Sequence, residues 1–161
     1  MKSKRQGQPL VRTAARALIV HDGQLLTIEM QRRGAEVFYI LPGGGQAHGE
    51  TLEASLRREC REEIGVCPQI GPIAYVREYI GKHHAFHAVH RDFHQVEVVF
   101  HCTLEDPGSI GDGCELDRHQ IGLRWIRLRE LHSVAFFPRV IIDHIDGDRI
   151  VLNGSYLGDI N

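Results

Sequence analysis

The stretch RRECREEIGV, Arg57 to Val66, constrains this chain more than any other, because both its apolar residues and its acids keep helical spacing. Leu52, Leu56, Cys60 and Ile64 recur at i, i+4 and make one continuous apolar stripe. Glu59, Glu62 and Glu63 gather beside that stripe on an arc of about 100°. Arg58 lies four residues before Glu62, within reach of a charge pair that orients it, while Arg57 and Arg61 project elsewhere. The spacing predicts a helix over 51–64, ended by Gly65. Like charges three or four apart cost a helix a few tenths of a kcal/mol. An ordinary solvated face laced with ion pairs would not need such a cluster.

The helix is preceded by LPGGGQAHGE, whose glycines let backbone approach a ligand closely. Three carboxylates at i, i+3 and i+4 offer hard oxygen ligands of the kind Mg²⁺ and Mn²⁺ prefer. Shared cations would relieve the repulsion and attract phosphate oxygens. The charge pattern therefore reads as a metal site.

The remaining chain predicts a sheet around this element. TAARALIVHDGQLLTIEMQRR reads as two strands about a turn at Asp22-Gly23. VFYILPGGG is a short strand stopped by Pro42 and the glycines; IAYVREYI, HQVEVVFHCTL and IGLRWIRL follow as strands. A second helix is expected from Pro138 to Ile145, with proline at its first turn, and a terminal hairpin about Asn153-Gly154. Strands before and after a helix, then further strands and a second helix, give an α/β sandwich around a mixed sheet. The 161 residues fit one domain, read as 12–161 behind a flexible, basic tail over 1–11. That tail lacks the apolar run of a signal peptide, and nowhere are there the roughly 20 apolar residues of a membrane span. Cys60, Cys67, Cys102 and Cys114 form no Cys-x-x-Cys pair, which suits free thiols in the cytoplasm. A net charge of −2 argues against a general polyanion binder, so nucleic acid is not an expected partner.

Residues 44–66, GGQAHGETLEASLRRECREEIGV, resemble the Nudix box, G-x5-E-x7-R-E-U-x-E-E-x-G-U with U a bulky aliphatic residue. Gly44, Glu50, Arg58, Glu59, Glu62, Glu63, Gly65 and Val66 match in register; Cys60 replaces the first U and keeps a small apolar group on the stripe. The resemblance, to MutT-like Nudix hydrolases, implies a Nudix-type α/β/α sandwich around a mixed β-sheet. It also implies a pyrophosphohydrolase dependent on Mg²⁺ (or Mn²⁺) that cleaves a nucleoside diphosphate linked to another group. Carried over, Glu59, Glu62 and Glu63 hold the metal with the Gly44 main-chain carbonyl. Arg58 braces the acids, and Glu50 fixes the loop–helix geometry. The proton acceptor is either Glu59 or an acid of the later loop GDGCELDRHQ, where Asp112, Glu115 and Asp117 are candidates and Glu115 is preferred.

Substrate contacts fall outside the box. Arg16 interrupts an apolar strand and Arg33 ends the next, so both are candidates for phosphate, against ordinary strand-end charge. Tyr39, before the glycine loop, is a candidate to stack a base, against a core tyrosine. His83, His84, His87, His90 and His94 lie in a loop read as a partly cationic cover over the substrate. The window where some subfamilies carry a proline or tyrosine marking ADP-ribose or diadenosine polyphosphate holds Lys82, His83 and His84. The expected partner is a small-molecule nucleotide, with a homodimer open and no membrane. Two other readings are an RNA 5′-end pyrophosphohydrolase and a non-catalytic Nudix-fold nucleotide sensor. An intact acid set favours the enzyme over the sensor.

Overall fold

The computed structural model describes residues 10–161, so most of the expected tail, residues 1–9, lies outside the described residues. Strands β1 (Arg12–His21) and β2 (Gln24–Met30) turn at Asp22 and Gly23, whose φ values of 45° and 69° suit a two-residue hairpin. Next come β3 (Phe38–Ile40), β4 (Gly43–Gly45), helix α1 (Leu52–Ile64), β5 (Gln69–Ile80), the single-turn helix α2 (His87–His90) and β6 (His94–Thr103). The chain continues through β7 (Gln120–Arg127), β8 (Ile145–Asp146), β9 (Arg149–Ile150) and β10 (Ser155–Asp159). The main sheet runs β10-β5-β6-β1-β2-β3, with β4 beside β1 and β7 beside β2. It is mixed: β1 and β6 run parallel, as do β5 and β10, and the other pairs are antiparallel.

Alternation along the strands makes two cores. Ala15, Ala17 and Ile19 of β1, with Val98, Phe100 and Cys102 of β6, pack under Leu56, Cys60 and Ile64 of α1. Those three α1 side chains are fully buried, as the helical stripe requires, and Leu52 packs at the edge. On the other face Leu18, Tyr75 and Val99 pack against Leu131, Phe136 and Ile141. Arg12 and Arg16 share the parity of Leu18, Arg77 and Tyr79 that of Tyr75, and Glu97 that of Val99. Polar residues thus continue the second face where its apolar residues stop, and the cleft forms there.

Two expected elements differ. The helix expected over 138–145 is a 3₁₀ segment, Arg139–His144, with Pro138 just outside it. Three consecutive β-branched residues, Val140 to Ile142, weaken α-helix there, and the chain then pairs β8 with β9. No hairpin forms about Asn153-Gly154: the Gly154 N–H donates to the Ala74 carbonyl at 2.6 Å, and β10 adds in parallel to the edge of β5. Joining that edge satisfies backbone groups that a detached hairpin would leave open. No helix among the described residues is long and apolar enough to cross a membrane. Cys60 and Cys102 are buried free thiols, and Cys67 and Cys114 exposed ones.

Candidate active site

Both ends of α1 are closed by side chains or loop backbone. Thr51 Oγ1 accepts from the Ala54 N–H at 3.1 Å, and Gly65 stops the helix in the left-handed conformation at φ 76°. The last-turn carbonyls, which a helix cannot satisfy itself, are met by the loop after β6. Gly111 N–H donates to Ile64 O at 3.1 Å, Glu115 N–H to Glu62 O at 3.2 Å, and Gln120 Nε2 to Glu63 O at 2.9 Å. A Cβ at Gly113 would overlap the Glu62 carbonyl, so only glycine lets the loop lie this close. The acids of that loop are delivered to the helix by its own C-terminal end.

Arg58 organises the other side. Its guanidinium donates to Glu50 at 2.7 and 3.0 Å, to Glu59 Oε1 at 2.7 Å, to Glu62 Oε2 at 3.2 Å and to the Gly45 carbonyl at 3.1 Å. Glu50 also accepts from the Ala47 N–H, and these bonds, Arg58 first, bring its carboxyl down to about 2. One arginine therefore ties the glycine loop, the helix entry and two of the acids together.

Glu63 is only 5% exposed, and its Oε2 accepts from the Gly43 N–H at 2.7 Å. Burial raises its carboxyl to about 7, against the opposing pull of Arg16 and the Gly43 bond, with Glu59 and Asp117 raising it further. Gly44 lies directly against Glu59: a Cβ there would stand 2.5 Å from the Glu59 carboxyl carbon and would displace that carboxylate. Arg16 donates to the Leu41 carbonyl at 3.2 Å, to the Gly43 carbonyl, and to Glu97 Oε1 at 3.1 Å. Glu97 is also bound by Arg77 Nε at 2.5 Å. Burial pushes the Glu97 carboxyl upward, but the two arginines outweigh it and bring it to about 2.

Arg16, Arg77, Glu97 and the acids line one cavity of about 510 Å³, whereas Arg58 and Glu50 do not line it. It holds Gly43–Gly45, Glu59, Glu62 and Glu63, the expected Arg16, and from the later loop Glu115 and Asp117. Asp112 does not line it. Two expected substrate contacts are not brought to the cleft. Arg33 is exposed in the turn after β2, while its neighbour Arg32 lines the cavity. Tyr39 is buried, its hydroxyl donating to Glu29 at 3.2 Å and accepting from Arg124 at 2.6 Å. It faces the second core, so the core alternative for it is the one observed. Of the histidine-rich loop read as a cover, His90 lines the cavity; Arg12, Arg77, Phe86 and Phe93 line it as well, beyond the residues the sequence points to. Arg12 was within reach of a strand-parity argument, since it shares a face with Arg16.

A divalent cation fits this donor set by chemistry. Glu59 Oε2, Glu62 Oε1 and Glu63 Oε1 make no hydrogen bond among the described residues, which leaves one hard oxygen on each acid. Among the described residues no three His, Cys, Asp or Glu side chains converge tightly enough to hold an ion as they stand. Arg58 holds two of the acids and the Gly43 N–H holds the third, each by its other oxygen.

The sequence model of the NUDIX domain matches residues 11–145. The chain belongs to the Nudix family. Membership carries the class of activity, hydrolysis of a pyrophosphate bond. Among solved structures, the chain is similar to a MutT NUDIX hydrolase from Burkholderia pseudomallei, at 23% identity and TM-score 0.63, over 85% of this chain and 99% of that one. A NUDIX hydrolase from Nitrosomonas europaea is similar at 17% identity and TM-score 0.64, over 83% and 85%. An ADP-ribose pyrophosphatase from Streptococcus suis is similar at 13% and 0.58, over 91% and 99%. At these identities the likeness is one of fold. No curated protein matches the chain's sequence significantly.

Proposed function

We propose that this Nudix chain is a divalent-metal-dependent pyrophosphohydrolase of a small nucleotide derivative, a nucleoside diphosphate linked to another group. The observation that carries the reading is the convergence of Glu59, Glu62 and buried Glu63 with Gly43–Gly45 on one cleft, each acid with a free oxygen. Glu59, Glu62, Glu63 and the Gly44 carbonyl are the groups that would hold Mg²⁺ or Mn²⁺. When bound, such a cation neutralises developing charge, orients the pyrophosphate and acidifies the attacking water.

The chain's own residues do the rest. Arg58 fixes Glu59 and Glu62 at their tips, and its planar fork spreads the entropy cost of holding it over five acceptors. The Gly43 N–H holds Glu63 in place, and Arg16 holds the Gly43 carbonyl. This restraint suits catalysis by positioning, where misplacement by 1 Å costs about 100-fold in rate. Glu115 at the rim is the proposed acceptor of the water proton, with Glu59 as the alternative. The names of the fold relatives support the substrate class, since one is an ADP-ribose pyrophosphatase and another a UDP-X diphosphatase.

The test is a panel of nucleoside triphosphates, ADP-ribose, nucleotide sugars, dinucleotides and triphosphorylated or capped RNA, with Mg²⁺ or Mn²⁺. Hydrolysis of a small nucleotide, abolished by chelator while circular dichroism is unchanged, is the expected result. Full turnover by metal-free protein in excess chelator would overturn the reading.

A further inference from the structure

The cleft carries both signs of charge. Besides the acids it is lined by Arg12 and Arg32, and among the described residues neither guanidinium is paired with a carboxylate. Each lies instead over an aromatic ring: Arg12 Cζ is 5.4 Å from the Phe93 centroid and Arg32 Cζ 5.5 Å from that of Phe86. Arg12 also reaches the glycine loop, since its Nη2 stands 2.6 Å from where a Cβ on Gly45 would be. It therefore links the glycine loop to the Phe93 ring.

His90 joins the two rings, with centroids 5.9 Å from Phe86 and 5.5 Å from Phe93. Its Nε2 is 2.9 Å from Arg32 Nη2, and its Nδ1 is 3.0 Å from the Tyr79 hydroxyl. Arginine only donates, so Nε2 accepts, and Nδ1 carries the proton and donates to Tyr79. His90 is thus a neutral imidazole with both nitrogens engaged. Burial, then Arg32, pushes it below its ordinary value, in the direction that keeps it neutral. Its role is to set Arg32 over Phe86, using one of five N–H donors and leaving the rest for a ligand. The whole wall comes from the short segment 86–93 and two arginines.

Such a wall suits a ligand that carries both a planar ring and negative charge. We propose that Phe86 and Phe93 take the nucleobase of the substrate, and that Arg12 and Arg32 take phosphate between the base and the acids. His90 is a positioning residue for Arg32. The inference rests on the nucleotide pyrophosphohydrolase reading and adds to it where base selectivity resides.

Calorimetric titration of the folded protein with AMP, GMP, CMP, UMP and ribose 5-phosphate tests it. At least one nucleoside monophosphate is expected to bind 10-fold or more tighter than ribose 5-phosphate, within the range of base–aromatic stacking. Phe86→Leu and Phe93→Leu should each cut that ratio about 5-fold or more while leaving ribose 5-phosphate binding in place. Arg12→Gln, at an exposed position that folding tolerates, should weaken both ligand types alike. No preference for any nucleoside monophosphate, including no measurable binding, overturns the proposal. So does a ratio unchanged in both phenylalanine variants, or affinities unchanged in Arg12→Gln. Turnover of phosphoribosyl pyrophosphate, which has no base, at the same kcat/KM as the best nucleotide sinks this inference alone. Absence of metal-dependent turnover on every panel member sinks the reading beneath it.

Discussion

At the scale of single residues, Glu63 and Leu56 sit on one helix and do opposite jobs. Glu63 is a buried carboxylate with one backbone bond and, among the described residues, no ion pair of its own, so its charge is only partly compensated. Glu63→Gln keeps the shape and the Gly43 bond but removes the charge. Turnover is expected to fall by orders of magnitude, and the metal-free variant should melt no lower than the wild type. The folded carboxyl at about 7 lies above the ordinary 4.5. Between roughly pH 4.5 and 7 the folded chain therefore holds a proton that the unfolded chain gives up, and this group's contribution to stability falls as pH rises through that window. Urea melts of metal-free wild type at pH 5 and 7.5 should show that loss, and Glu63→Gln should lack it. Leu56, fully buried under β1, should instead cost about 2–5 kcal/mol of stability on Leu56→Ala, read by the same melts. Normal turnover by Glu63→Gln across a responsive panel would remove it from the site.

At the scale of elements, β10 does more than close an edge. Asp159 at its end accepts from the Ile80 N–H at 2.9 Å and bonds His83 Nδ1 and His84 Nε2 at 2.6 Å each. Over the next two residues, Arg77 Nη1 donates to the Ile160 carbonyl at 2.6 Å and to Asn161 Oδ1 at 3.2 Å. The strand thus pins the start of the histidine-rich segment whose later residues wall the cleft. Burial tends to raise the Asp159 carboxyl, but the bonds from His83, His84 and Ile80 outweigh it and bring it to about 2, below the ordinary 3.8. A depressed carboxylate stabilises the fold above its unfolded value and loses that contribution as pH falls toward its folded one. Asp159→Asn should therefore be less stable than wild type at pH 5, and the gap should close between pH 4 and 2. Denaturant melts at pH 5, 4, 3 and 2 decide it, and a gap that stays constant would mean that the aspartate's charge plays no part.

At the scale of the whole molecule, the proposed metal binding would be linked to folding through α1, which carries both the acids and a face of the core. A cation held only by the folded state stabilises it by RT ln(1 + [L]/Kd), about 2.7 kcal/mol at 100 times Kd. Adding Mg²⁺ at constant ionic strength should raise Tm. The Glu59→Gln/Glu62→Gln/Glu63→Gln variant should lose most of that rise, while its metal-free form melts no lower than the metal-free wild type. Equal Mg²⁺ shifts in the two proteins would place the cation elsewhere.

What could be read from the chain alone is what depends on near neighbours in sequence. The α1 stripe, the Asp22-Gly23 turn, the presence of β1, β2, β3, β5, β6 and β7 and the acids around Arg58 rest on spacings of two to eight residues, so local periodicity was enough, whereas β4 falls on glycines read as a strand stop and pairs only because β1 lies beside it. The register of the Nudix box carried the family in the same way. Contacts across the sheet were not legible. Arg16 was equally open to phosphate or to an ordinary strand-end charge and is engaged by Glu97, 81 residues away, whereas among the described residues Arg12 and Arg32 have no carboxylate partner. Tyr39 goes to the core because Glu29 and Arg124 meet its hydroxyl from neighbouring strands. Glu115 and Asp117, and not Asp112, line the cleft, in a loop that the end of α1 holds through the Gly111 and Glu115 N–H groups. Periodicity tells a side chain which face it takes, and only the partner strand or loop across from it settles whether that face is core, ion pair or open cleft.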